Sequence, residues 1–205
     1  MRLDREKFGS SKIVKGQDCQ RKNRDRAVEA SPPQVLPGKT PARKKPLLVL
    51  GLGNDILSDD AVGLHVAREI RRRLRHSDGI EVEETCEMGL ALLDYIAGFD
   101  DLVLVDAVQT GKAPPGFVHE LDDSQLKVLP TLSPHFVGVG EAMAVGRRLG
   151  MVVPKRAKIF AIEVKDPFTV GVCMTSELDE VVHAIATRVL ATARRLNRER
   201  IGPGK

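Results

Sequence analysis

The fold class of this chain is decided by the stretch Leu47-Leu48-Val49-Leu50-Gly51-Leu52-Gly53-Asn54. Its first four residues are aliphatic, and a short, continuously aliphatic run is typical of a strand that is buried on both faces. Gly51 and Gly53 follow, and they let the chain turn tightly at the end of the strand. A second aliphatic run at residues 102–105 precedes Asp106. The sequence therefore predicts a sheet of buried, mostly parallel strands.

Amphipathic helices alternate with these strands. Val62, Val66, Ile70 and Leu74 recur at four-residue spacing with charged residues between them, which is typical of a helix with one buried face. We expect further strands at residues 80–85, 117–121 and 158–164, and further helices at residues 90–96, at 139–149 and from Ser176 onward. This alternation predicts an α/β fold: a three-layer sandwich with a mostly parallel five-stranded sheet and helices on both faces.

Charge divides the chain near Lys45. Residues 1–45 carry 13 Lys or Arg and 5 Asp or Glu, whereas the remaining 160 residues carry 19 and 23. Residues 31–46 contain five prolines, which disfavour a packed element. We therefore predict a disordered, basic, proline-rich extension at residues 1–45, an α/β domain at 46–198 and a flexible tail at 199–205. The mild acidity of the domain argues against a nucleic-acid surface.

The apolar runs of the chain are far shorter than the roughly 20 residues that a membrane-spanning helix needs. The first thirty residues carry charges throughout and contain no apolar segment typical of a secretory signal. We therefore expect a cytoplasmic protein that has no membrane partner.

Polar residues follow the predicted strands at the sheet edge where ligands bind in such folds. Asp59 and Asp60 lie at the start of the first helix, Asp106 follows the third strand, and His135 lies in a Ser-Pro-His turn. We expect one acid of the pair to be a helix N-cap or a first-turn acid favoured by the helix dipole, which leaves the other for a ligand. Two carboxylates and an imidazole suit a divalent ion such as Zn²⁺ or Ni²⁺, with a coordination position left open.

Each of these residues also has an ordinary structural interpretation. Asp106 is equally consistent with a turn cap, and His135 with a side chain satisfied by backbone groups. A dinucleotide site is disfavoured, because Ile56 stands where the fingerprint requires glycine and the acidic pair would repel a pyrophosphate. The remaining histidines are expected to be structural or solvated: His65, His76, His119 and His183.

Three segments together resemble the motifs of the hydrogenase maturation endopeptidases, in their order and spacing. They are Gly51-Leu52-Gly53-Asn54 with Asp59-Asp60-Ala61-Val62-Gly63, then Val105-Asp106-Ala107, then Ser133-Pro134-His135 with Gly138. The resemblance implies a twisted five-stranded sheet and a peptidase that removes the C-terminal extension of a [NiFe] hydrogenase large-subunit precursor after nickel insertion. It further implies that Asp60, Asp106 and His135 are the catalytic, nickel-contacting residues, and that the nickel is carried by the precursor.

Two questions remain open from the sequence. A non-catalytic nickel-binding assembly chaperone could use the same three residues, and in a peptidase either a nickel-activated water or an aspartate acting as general base could start the reaction. After the second strand, Glu84-Thr85-Cys86-Glu87-Met88-Gly89 departs from the acidic, small, small, threonine pattern of many family members. Cys86 is interpreted there as a buried or partner-facing thiol. We expect the free chain to be a monomer.

Overall fold

The computed structural model describes residues 45–75, 78–122 and 138–201, all within one unit that spans Lys39–Lys205. The predicted extension at residues 1–45 therefore lies outside the described residues except for Lys45. Two histidines also lie outside the described ranges: His76 and the candidate site residue His135.

Five strands form one sheet in the order β2-β1-β3-β5-β4. Their bounds are β1 Lys45–Leu52, β2 Ile80–Thr85, β3 Phe99–Val108, β4 Val118–Asp122 and β5 Arg156–Glu163. β2, β1, β3 and β5 pair in parallel, and β4 pairs antiparallel with β5 at the edge. The mostly parallel, five-stranded sheet predicted from the sequence is confirmed.

The described residues include five helices: α1 Val62–Arg73, α2 Leu93–Ile96, α3 Val139–Arg148, α4 Ser176–Asp179 and α5 Val182–Ile201. The first three lie between strands, and α4 and α5 follow β5. Single 3-10 turns precede α1 and α2, at Asp59–Ala61 and Gly89–Leu92. The prediction of one continuous helix from Ser176 is wrong. The Val181 N–H bonds to the carbonyl of Leu178, three residues back, and this tighter turn separates α4 from α5. α5 continues to Ile201, three residues past the domain end expected at 198.

The two faces of the sheet support two separate hydrophobic cores. Val103 and its neighbours on one face pack with α1 and α5, whereas Leu104 and its neighbours on the other face pack with α2 and α3. Because successive strand residues point to opposite faces, both cores draw on the same strands. The expected helical layers on both faces are therefore confirmed. Within the described ranges, no helix combines the length and the apolar character that crossing a membrane requires.

Candidate active site

Asp106 lies in the part of β3 that extends beyond its last paired residue with the neighbouring strand β1. β1 ends at Leu52, whereas β3 continues to Val108, so Asp106 lies inside the strand and not at its end as the sequence suggested. Its side chain is completely buried, and its Oδ1 accepts a hydrogen bond of 2.8 Å from the backbone N–H of Ala107. This hydrogen bond helps to orient the carboxylate of Asp106 near the carboxyl-terminal edge of the sheet.

The two acids of the Asp59-Asp60 pair have different surroundings, and neither caps the helix. The 3-10 turn and α1 have no side-chain cap hydrogen bond, so the N-cap alternative is wrong. Asp59 and Asp60 are instead acids of the first turn of the 3-10 helix, which was the other alternative. Asp59 is completely buried and accepts hydrogen bonds from the backbone N–H groups of Lys165 (3.2 Å), Asp166 (2.9 Å) and Thr175 (2.7 Å). Asp60 is partly exposed at the same turn. Asp59 is thus hydrogen-bonded to the connection between β5 and α4, whereas Asp60 is partly accessible to solvent.

Glycines allow the Asp60 turn to sit directly on the sheet. Gly53 has a φ of 152°, and a Cβ at this position would lie 2.2 Å from the carbonyl oxygen of Asp60. A Cβ on Gly63 would lie 2.1 Å from the carbonyl oxygen of Leu52 and 2.5 Å from that of Val105. Any larger residue would push α1 away from β1 and β3. The sequence predicted only a tight turn at Gly51 and Gly53, and the close backbone contacts of Gly53 and Gly63 are a finding of the structure.

The third motif is described only at its last residue. Gly138 directly precedes α3, and a Cβ there would lie 2.5 Å from the Cα of Gly89 in the connection that follows β2. His135 itself lies outside the described residues. Among the described residues, no group of three or more His, Cys, Asp or Glu side chains is arranged to hold a metal ion.

Arg68 of α1 joins the connection after β1 to the end of β2. Its guanidinium donates two hydrogen bonds to Asp55, of 2.9 and 2.6 Å, and a third of 2.9 Å to Glu84. The hydrogen bond to Asp55 raises the pKa of Arg68 above its usual value. Burial, assisted by the charge of Arg68, lowers the pKa of His65, so this imidazole is neutral at neutral pH.

Sequence reasoning missed Glu163, the last residue of β5. Its carboxylate is almost fully buried and accepts hydrogen bonds of 2.7 Å from the backbone N–H groups of Thr110 and Gly111. The Thr110 hydroxyl donates a further bond of 2.7 Å, and His119 Nε2 lies 3.1 Å away. Glu163 follows the apolar run at residues 159–162 in the same way that Asp106 follows residues 102–105, and this signal could have identified it. It holds the connection after β3 in place.

Cys86 is a free, exposed thiol in the connection after β2. The structure therefore excludes the buried state, one of the two that the sequence left open.

The sequence profile described as Hydrogenase maturation protease matches residues 64–192. This chain belongs to the hydrogenase maturation protease family. It is accordingly a peptidase. The match spans the positions of Asp106 and His135 and begins just after Asp60.

Named relatives of the chain agree with this assignment. It is 27% identical over 150 residues to the Hydrogenase 2 maturation protease of Escherichia coli (strain K12), covering 72% of this chain and 90% of that protein. It is 25% identical over 169 residues to the hydrogenase expression/formation protein HoxM of Azotobacter vinelandii, covering 77% and 81%. The solved structure of the hydrogenase maturating endopeptidase HybD from E. coli superposes with a TM-score of 0.64 at 27% identity, covering 73% of this chain and 93% of that one.

Proposed function

We propose that this peptidase removes the C-terminal extension of a [NiFe] hydrogenase large-subunit precursor after nickel insertion, and that Asp60, Asp106 and His135 contact the nickel that the precursor carries. The packing at one edge of the sheet supports this proposal. The 3-10 turn that contains Asp60 contacts β3, the strand that contains Asp106. Asp60, in the turn before α1, and Asp106, near the end of β3, therefore belong to the edge where ligands bind in parallel α/β sheets.

Chain connectivity supports the inclusion of His135. Gly138 packs against Gly89 in the connection after β2, at the same edge of the sheet. His135 precedes Gly138 by three residues in the sequence. An imidazole would complete an oxygen and nitrogen donor set around a metal brought by the substrate.

The donor set suits hydrolysis of a peptide bond in two ways. Nickel bound mainly by the precursor could polarise the scissile carbonyl or lower the pKa of an attacking water. Alternatively, Asp60 or Asp106 accepts the proton of that water, and the metal serves only to position the substrate. The carboxylate of Asp106 suits either role, because the hydrogen bond from the Ala107 N–H helps to orient it.

Recognition through the substrate's metal would make cleavage depend on nickel insertion. An empty precursor lacks the ion that the three side chains contact, so its docking loses part of its favourable free energy. We therefore expect the nickel-free precursor to be cleaved much more slowly than the nickel-loaded one.

The test is the processing of nickel-loaded precursor by the variants Asp60→Asn, Asp106→Asn and His135→Gln, followed by intact mass. Loss of a catalytic proton acceptor or metal contact is expected to slow cleavage by about 100-fold or more. Asp94→Asn, at an exposed position of α2, is the matched control and should process normally.

Each contrary outcome has a distinct meaning. Normal cleavage by all three variants contradicts the site, and equal rates with and without nickel contradict recognition through the metal. A precursor that binds but is never shortened favours the assembly-chaperone alternative.

A further inference from the structure

His119 of β4 lies in the same row of the sheet as Asp106 of β3. Ala161 of β5 lies between them, paired with Asp106 on one side and with His119 on the other. Ala161 belongs to the core that packs with α2 and α3, and paired residues of neighbouring strands point to the same face of a sheet. All three side chains therefore share this face. Neighbouring strands are about 4.8 Å apart, so the backbones of Asp106 and His119 are about 10 Å apart.

Glu163 of β5 holds one nitrogen of the His119 ring. Its Oε2 lies 3.1 Å from Nε2 of His119, and the Glu163 side chain is only 1% exposed. Thr110 and Gly111 donate three further hydrogen bonds of 2.7 Å to the same carboxylate. Because these donors already compensate for the burial of Glu163, the bond to His119 has a separate effect, which is to orient the imidazole.

The remainder of the His119 ring is accessible. The side chain is 29% exposed, and its Nδ1 has no hydrogen-bond partner within the part of the chain that the structure describes. The ring of Phe117 contacts the imidazole edge to face, with ring centroids 4.9 Å apart. A carboxylate on one nitrogen and an aromatic ring on one side keep the imidazole in place, while the second nitrogen is open to a ligand. Histidines that transfer protons in hydrolases are oriented in this way.

Peptide hydrolysis needs two proton transfers, one from the attacking water and one to the departing amine. The proposed site supplies acceptors for the first, Asp60 or Asp106, but no residue has been assigned to the second. We propose that His119, oriented by Glu163, gives the departing amine its proton. Side chains from backbones about 10 Å apart can approach one bound peptide group from two sides. This inference rests on the proposed function, because Asp106 marks the place where the bond is cut.

Each proton of the reaction has a defined destination. The water oxygen forms a bond to the scissile carbonyl carbon, and one water proton passes to the aspartate. The C–N bond then breaks, its electron pair stays on the nitrogen, and the nitrogen takes the Nδ1 proton of the His119 imidazolium. The new carboxylic acid ionises, and the proton held by the aspartate returns to His119 through solvent. Both protein groups thereby regain their starting states.

The first test measures the cleavage of nickel-loaded large-subunit precursor by the His119→Gln variant, followed by intact mass. A glutamine amide can still donate a hydrogen bond to Glu163, but it cannot transfer a proton. We expect kcat to fall at least about 100-fold with KM nearly unchanged, because general acid catalysis contributes about this factor. His183→Ala, which changes an exposed histidine of α5, is the matched control and should cleave normally. Thermal unfolding of both variants checks that they are folded.

The second test adds free imidazole to the His119→Ala variant. Imidazole can enter the space that the ring leaves, so we expect the cleavage rate to recover in part. It should not change the rate of His119→Gln, in which the new side chain fills that space. Glu163→Gln should lower kcat when introduced alone but cause no further fall in the His119→Gln background, because Glu163 acts through His119.

The contrary outcomes separate the two proposals. Normal cleavage by His119→Gln, a rise in KM alone, or a slow His119→Ala variant that imidazole does not restore would overturn the proton donor. If Asp106→Asn is inactive in the same assay, the proposed function stands in each of these cases. Additive losses from Glu163→Gln and His119→Gln would overturn the orienting role of Glu163. An unmodified protein that leaves the precursor uncut would overturn the proposed function and, with it, the role of His119.

Discussion

At the scale of single residues, acidic side chains at one sheet edge differ in role because their carboxylates meet different groups. Asp59 and Glu163 are buried among hydrogen-bond donors, and each fixes a connection. Asp60, next to Asp59 in the chain, is partly exposed instead. The sequence of the Asp59-Asp60 pair does not indicate this difference. The N–H groups that bond to Asp59 belong to residues more than a hundred positions away in the chain.

Glu163→Gln should show the energetic role of the buried carboxylate. Burial raises the pKa of Glu163, but hydrogen bonds from Thr110, His119 and Gly111 outweigh this effect, and its pKa lies below the ordinary 4.5. The ionised carboxylate therefore stabilises the fold above pH 4.5, and this contribution is lost as the pH falls through the lowered pKa. We expect the variant to lose about 2 kcal/mol of unfolding free energy at neutral pH, because charged hydrogen bonds are replaced.

Urea unfolding at neutral pH and at about pH 3.5 measures this difference, which should shrink at the lower pH. Glu83→Gln, on the exposed side of β2, is the control and should change the unfolding free energy little at either pH. A difference between the Glu163→Gln variant and the unmodified protein that grows on acidification contradicts the assignment.

At the scale of elements, the start of α1 is defined by contact with backbone atoms of the sheet. Gly63 approaches the carbonyl oxygens of β1 and β3 too closely for any side chain. This contact is what sets the Asp60 turn against β3. The amphipathic repeat of α1 predicted the helix correctly. It could not show that Gly63 lies against the backbone of β1 and β3, because the repeat concerns only which side chains are apolar.

Gly63→Ala is predicted to destabilise the protein by at least about 3 kcal/mol, because the new methyl group overlaps backbone atoms that cannot rotate away. Gly140→Ala in α3 is the matched control, since nothing lies within 4 Å of a Cβ there. That change should stabilise the helix by up to about 1 kcal/mol, the ordinary advantage of alanine over glycine. Chemical denaturation measures both, and equal effects at the two positions would contradict the close packing.

At the scale of the whole molecule, the sheet separates two cores that have no side chain in common among the described residues. Ile70 of α1 lies in one core and Ile96 of α2 in the other, and both are completely buried. Among the described residues, the backbone of the sheet lies between them. The cores should therefore respond to mutation independently.

Ile70→Val and Ile96→Val are each expected to lower the unfolding free energy by about 1 kcal/mol. The double variant should lose the sum to within about 0.5 kcal/mol, because the two sites have no common packing partner. Denaturant titration of the three variants measures the coupling, and a coupling above about 1 kcal/mol would show that strain crosses the sheet.

The amino-acid sequence by itself determined the five strands, their mostly parallel arrangement, the helices on both faces and the family. These properties follow from local periodicity and from short motifs, both of which are visible in the sequence. Only the tertiary structure decided that Asp59 holds a distant connection and that Glu163 is buried against the connection after β3. Each depends on groups far apart in sequence that meet only after the chain has folded, and no local pattern encodes such a meeting.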